Sequence, residues 1–153
     1  ANGGFLLASP IGRGGKTLSP LPTRDAVLPI VCILAAAKAK AGVSRLVSAL
    51  PARYTASDRL KNFPTEVSKA KIASLSGSAE VIEAMFGDLC GVVSSTDDTD
   101  GLRITFASGD IVHLRPSGNA PELRCYNEAG SLSRTAELNA ACMQRLSSWV
   151  ADQ

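Results

Sequence analysis

Leu102-Arg103-Ile104-Thr105-Phe106, then Gly109-Asp110, then Ile111-Val112-His113-Leu114-Arg115, then Leu123-Arg124-Cys125-Tyr126-Asn127-Glu128 is the stretch that decides the fold. Leu102, Ile104 and Phe106 alternate with Arg103 and Thr105, the period-two pattern of a strand with one buried face. Gly109-Asp110 signals a turn, and in the returning segment Val112 and Leu114 alternate with Ile111, His113 and Arg115. Leu123 to Glu128 repeats the alternation. Three strands in quick succession, joined by short connections, make an antiparallel sheet.

Working outward, a closing helix over Thr135 to Val150 carries Leu138, Ala141, Cys142, Leu146 and Trp149 at helical spacing. On the other side, Ala79 to Phe86 reads as a helix with Val81, Ile82, Met85 and Phe86 on one side and Gly87 as its terminator. The second half is therefore helix, hairpin, strand, helix, an α+β layer in which two helices cover an antiparallel sheet. Glu66 to Ser78 is polar, with little to build a core, and places a domain boundary that divides the chain into 1–68 and 69–153. The half from Ile72 onward is expected to fold alone.

The first half reads as the helical end of an α/β domain. Gly4 to Ala8 is a short strand leading to the Gly-rich turn at Gly12-Arg13-Gly14-Gly15. Asp25 caps a helix from Ala26 to about Ala41, with Pro29 in its first turn and Gly42 as its stop. That helix is apolar nearly all round until Lys38, which predicts burial on most sides. A short helix from Ser44 to Leu50 follows, and Ala52 to Thr65 reads as a strand or loop crossing the surface. Ala1 in place of a methionine, and an opening that runs straight into a strand, suggest a piece of a larger protein.

The chain has 153 residues, 45% hydrophobic and 20% charged, with 16 Lys+Arg against 14 Asp+Glu. Signs are well mixed at a formal net charge of +2, so composition gives no reason to expect a nucleic-acid or membrane partner. The most apolar run, Ala26 to Ala37, contains Pro29 and is shorter than the roughly 20 residues of a membrane span. Cys32, Cys90, Cys125 and Cys142 are scattered and His113 is the lone histidine, which excludes a spaced zinc motif. The thiols read as reduced and mostly buried, consistent with a cytoplasmic protein.

Several apparent motifs have plainer readings. Gly12-Arg13-Gly14-Gly15-Lys16-Thr17 looks like a P-loop, but Pro10 stands where that motif needs its first glycine and no helix starts at Lys16. A hairpin tip is the better reading. Asp97-Asp98-Thr99-Asp100-Gly101 lacks calcium-loop spacing and reads as a solvated turn. His113 reads as a structural or surface residue. Arg115-Pro116-Ser117-Gly118-Asn119-Ala120-Pro121-Glu122-Leu123-Arg124 differs: Gly118 permits close backbone approach, and Ser117 and Asn119 add side-chain donors. Arg115 and Arg124 bring forked cations matched to phosphate oxygens. An ordinary turn with two exposed arginines is the alternative.

Asp100-Gly101-Leu102-Arg103, followed by Arg115-Pro116-Ser117-Gly118-Asn119-Ala120-Pro121 and Arg124, resembles the last domain of the α-D-phosphohexomutases, which carry D-G-[VL]-[RK] and R-[PAT]-S-G-T-E-P in that order. Ala1-Asn2-Gly3-Gly4 resembles the tail of the sugar-binding loop in the preceding domain. The resemblance implies a four-domain isomerase of the phosphomannomutase or phosphoglucomutase kind, moving a phosphoryl group between the 1- and 6-hydroxyls of a hexose. It works through a phosphoserine and a bisphosphate intermediate, with magnesium held by an acidic loop. Neither the serine loop nor the metal loop occurs in these residues, so this chain is expected to bind no magnesium itself and to be inactive alone. The missing N-terminal domains and a hexose phosphate are its implied partners. By position Arg115, Ser117, Gly118, Asn119 and Arg124 would grip the phosphate that is not reacting, and Asn2 would contact sugar hydroxyls. Asn119 and Ala120 replace the usual Thr-Glu. The competing reading is a non-catalytic phosphate- or nucleic-acid-binding module, against which the aromatic content of 5% argues.

Overall fold

The structure, a computed structural model, describes residues 4–151. Its contacts divide the chain into two compact units, Ala1–Pro51 and Ala52–Gln153.

In the first unit β1 (Phe5–Leu7) pairs antiparallel with β4 (Leu21–Asp25), and β2 (Ile11–Arg13) with β3 (Lys16–Leu18) in a separate two-stranded ribbon. Gly14 and Gly15, both at positive φ (57° and 74°), form the two-residue tip, so the glycine cluster is a hairpin turn. Helix α1 (Val27–Ala39) is capped as its sequence requires, with Asp25 Oδ1 accepting from the Val27 and Leu28 amides at 2.7 Å each. α2 (Val43–Ser48) follows. The expected burial of α1 is not found: Ala37 is its one buried residue, and Val27, Ile30, Val31, Ile33 and Leu34 are exposed. Two narrow ribbons and a six-residue helix do not supply enough surface to cover an all-round apolar helix.

The second unit is built on a five-stranded antiparallel sheet of order β5-β9-β8-β7-β6: β5 (Tyr54–Lys61), β6 (Val93–Asp97), β7 (Leu102–Phe106), β8 (Ile111–Pro116) and β9 (Glu122–Ala129). Between β5 and β6 come α3 (Thr65–Ser76) and α4 (Ala79–Cys90), and α5 (Leu132–Ala151) closes the chain. The α+β class is as expected, with three helices on the sheet rather than two and five strands rather than the three that alternation marks.

The polar composition of 66–78 hid a helix. α3 needs only Ser68, Ile72 and Leu75 to reach the core, because one narrow stripe is all that a helix on a sheet buries. α4 runs through Gly87 to Cys90, burying Ile82, Phe86 and Cys90, and stops at Gly91, whose φ of 84° only glycine adopts readily. In α5, Leu138, Cys142, Leu146 and Trp149 are buried as their spacing implies. Ser131 caps it, its hydroxyl accepting from the Arg134 amide at 3.2 Å. The three helices and the inward residues of β7, β8 and β9 share one core centred on Phe63, Phe86, Phe106, Ile104 and Leu114.

β5 pairs with β9 along its whole length, and Phe63, just beyond it, is fully buried. Deleting residues 1–51 is therefore expected to leave a cooperatively unfolding domain by circular dichroism. A chain starting at Ile72 loses β5, Phe63 and most of α3, and its unfolding transition should broaden or vanish.

Candidate anion-binding site

Arg115 is the penultimate residue of β8 and Arg124 lies near the start of β9, directly opposite each other in the antiparallel register. Strand alternation turns both away from the core, since Leu114, Leu123 and Cys125 are fully buried. The connecting loop is tied at both limbs. The Ser117 amide donates to the Glu122 carbonyl at 2.8 Å, and the Phe63 amide donates to the Pro121 carbonyl at 2.8 Å. A buried aromatic thus fastens the outer limb to the core.

All five loop residues singled out from sequence are gathered at this end of the sheet. Gly118 and Asn119 are exposed, but Ser117 is only 4% exposed and its Oγ accepts from the Asn119 amide at 3.4 Å. The Asn119 backbone amide is therefore turned inward on the Ser117 oxygen, an internal turn that a stronger acceptor could replace. The hydroxyl proton of Ser117 is not spent in that contact. Asn2 lies outside the described residues.

Two further groups shape the site. Asp100, read as part of a solvated turn, accepts from Arg115 Nε at 2.8 Å through Oδ1, and its carbonyl accepts from His113 Nε2 at 2.6 Å. The salt bridge uses Nε and leaves the two Nη groups of the fork to other acceptors. His113, for which the sequence offered no partner, also lies against Tyr126, with ring centroids 5.6 Å apart. Gly101 allows the approach: its φ is 88°, and a Cβ there would sit 2.3 Å from the Leu114 carbonyl oxygen. Asp97 at the start of the turn accepts from the Thr99 amide at 2.8 Å, which holds its carboxyl below the ordinary value.

Arg59 was not singled out from sequence. It stands opposite Arg124 in the β5–β9 register, and its Nη1 lies 3.3 Å from Glu122 Oε2. Ser57, Asp58, Arg59, Arg124 and Tyr126 line an open concavity of about 360 Å³ beside the loop. The local signal is the alternation of Thr55, Ser57, Arg59 and Lys61 in a segment that reads from sequence as a strand or loop.

Among the described residues no group of three His, Cys, Asp or Glu side chains could hold a metal. Cys90, Cys125 and Cys142 are buried on the helix side, and burial pushes the Cys90 thiol up to about 12, far from a thiolate nucleophile at neutral pH. No helix among the described residues is long and apolar enough to cross a membrane.

An α+β unit with an arginine-flanked loop at the sheet end is what the last domain of a phosphohexomutase supplies. The family model described as "Phosphoglucomutase/phosphomannomutase, C-terminal domain" matches residues 47–144, and the chain belongs to that family. It is 48% identical over 130 residues to a phosphomannomutase of Sinorhizobium fredii and 46% identical over 132 residues to one of Salmonella muenchen. These alignments take in 84% and 86% of this chain and 27% of each relative, so the chain spans about a quarter of the curated relatives it matches.

Gly101 and Gly118 separate fold from site. Gly101→Ala meets both an unfavourable φ and a backbone oxygen, and should cost at least about 2 kcal/mol, lowering the melting temperature by roughly 10 °C. Gly118→Ala meets nothing within 4 Å and should leave stability within about 0.5 kcal/mol in urea unfolding.

Proposed function

We propose that this chain is the C-terminal portion of a phosphohexomutase, phosphomannomutase in preference to phosphoglucomutase, and that its 115–124 loop holds the phosphate of a hexose phosphate that is not being transferred. Residues 1–51, a shorter piece than the 1–68 expected from composition because β5 pairs with β9, would then belong to the preceding domain and Asn2 to its sugar-binding loop. The observation that carries the reading is the pairing of Arg115 with Arg124 across the mouth of a loop whose Gly118 the fold does not need. A glycine free of internal contacts, between two guanidinium forks, leaves backbone amides open to close approach by an oxyanion. The relatives named phosphomannomutase support the choice of class and lean the sugar toward mannose.

In this reading the clamp does no bond-making. Arg115, Arg124, the Asn119 amide and the Ser117 hydroxyl fix one end of the hexose so that the other end meets the phosphoserine and magnesium held elsewhere in the protein. Positioning of this kind is a major part of phosphoryl-transfer catalysis. The same clamp serves both orientations of the sugar, because guanidinium forks and backbone amides recognise phosphate and ignore hydroxyl stereochemistry. The chain alone would bind without turnover. The exposed apolar side of α1 suits docking against the rest of such an enzyme, which would work in the cytoplasm.

Titration of the 153-residue chain with mannose 1-phosphate, following the amide signals of Ser117, Gly118 and Asn119, tests the clamp. Saturable shifts are expected, reproduced by inorganic phosphate, lost in Arg115→Ala and weakened in the fully folded Gly118→Ala. Since the arginines stay charged, affinity should rise with pH only as the ligand gains its second charge, near pH 6, and level off above pH 7. Absence of shifts at millimolar ligand, or shifts unaffected by Arg115→Ala, would refute the reading.

A further inference from the structure

Register places three arginines in one row across the sheet: Arg59 on β5 stands opposite Arg124 on β9, which stands opposite Arg115 on β8. Neighbouring strands lie about 4.8 Å apart, so the row crowds like charges that a sheet ordinarily keeps apart. Carboxylates offset the crowding. Asp100 takes Arg115, and the single oxygen Oε2 of Glu122 lies 3.3 Å from Arg59 Nη1 and 4.0 Å from Arg124 Nη2. One carboxylate oxygen thus sits between two guanidinium forks, as an oxygen of a bound oxyanion would.

The other end of β9 makes the point by contrast. Glu128 also meets two arginines, but with one oxygen for each: Oε1 at 3.4 Å from Arg103 and Oε2 at 3.7 Å from Arg53. That arrangement uses up the carboxylate and leaves no shared position. At the Glu122 end the shared position adjoins the concavity lined by Ser57, Asp58, Arg59, Arg124 and Tyr126, in which the Asp58 carboxylate accepts from the Arg59 amide at 2.7 Å. Glu122 is also fixed by its backbone, its amide donating to Ala120 and its carbonyl accepting from Ser117. Its side chain can swing away while the loop stays closed.

We propose that Arg59 and Arg124 form a second seat for a phosphate oxygen beside the loop, that Glu122 Oε2 fills this seat in the ligand-free chain, and that a phosphomonoester displaces it. Resting on the phosphate-clamp reading above, this makes Arg59 a third binding arginine and Glu122 an internal competitor of the ligand. A dianion reaching the loop between Arg115 and Arg124 presents a further oxygen toward β5, and Arg59 takes it as the Glu122 carboxylate turns to solvent. Arg124 belongs to both seats, so a single phosphate engages all three forks.

The test is isothermal titration of the 153-residue chain and its variants with mannose 1-phosphate and with inorganic phosphate. Arg59→Met should weaken both about tenfold, and Arg59→Lys, which keeps the charge without the fork, should fall between. Glu122→Gln should tighten both at least threefold, the opposite of what loss of a merely structural ion pair would do. Melting curves check that each variant remains folded. If Arg59→Met binds like the parent while Arg115→Ala does not bind, the second seat is wrong and the clamp stands. If Glu122→Gln binds more weakly than the parent, Glu122 is not a competitor and the proposal falls. No saturable binding by the parent chain would overturn the clamp and the second seat together.

Discussion

The pairing register of β9 is the constraint on which the second unit depends. The strand is bonded on both sides along its length, to β5 and to β8, and its side chains alternate strictly. Leu123, Cys125, Asn127 and Ala129 turn inward and are fully buried, while Glu122, Arg124, Tyr126 and Glu128 turn to the helix-free face. A slip of one residue would bury four polar side chains, three of them ionisable as charges at neutral pH, and expose the inner row. The cost of that exchange fixes the register. Even the buried amide of Asn127 is accommodated, between the Cys125 and Cys142 sulfurs at 3.3 and 3.5 Å.

That same register creates the charge arrangement. With β9 fixed, Arg124 has no choice but to stand between Arg59 and Arg115, and the β8–β9 connection must close beside them. The surrounding bonds then manage the repulsion. Asp100 reaches Arg115 because Gly101 lets the preceding turn lie on the β8 backbone, and Glu122 lies between the other two forks. Phe63 ties the loop to the core from the β5 side. Hydrophobic register thus sets three arginines on adjacent strands, the arrangement on which the proposed phosphate clamp rests.

What was legible in sequence follows from this physics. Alternation in 102–106, 111–115 and 123–128 was strong because those strands are central and one face is buried, and the loop residues Arg115 to Arg124 were recognisable because they are contiguous. α3 was missed because a helix resting on a sheet needs so few apolar positions that a polar stretch can hide one. β6 (Val93–Asp97), at the sheet edge, buries none of its residues fully and left no apolar pattern to read. Gly87 looked like a stop, yet α4 continues because helix interiors tolerate a glycine at a cost of about 1 kcal/mol. Arg59 and Asp100 could not be assigned from sequence, since each acquires its role only through a neighbour distant along the chain: Arg124 and Glu122 for one, Arg115 for the other. The exposed α1 shows the converse limit, for an apolar pattern states a need for cover without stating what provides it.

The most direct measurement is a crystal structure of the 153-residue chain grown without sulfate and soaked with mannose 1-phosphate. Phosphate density is expected at the end of the sheet, within hydrogen-bonding distance of Arg115 and Arg124 and of the loop amides at Gly118 and Asn119. Density located elsewhere on the chain, or a loop left empty at saturating ligand with Asn119 still bonded to Ser117, would contradict the assignment of this row of arginines to phosphate.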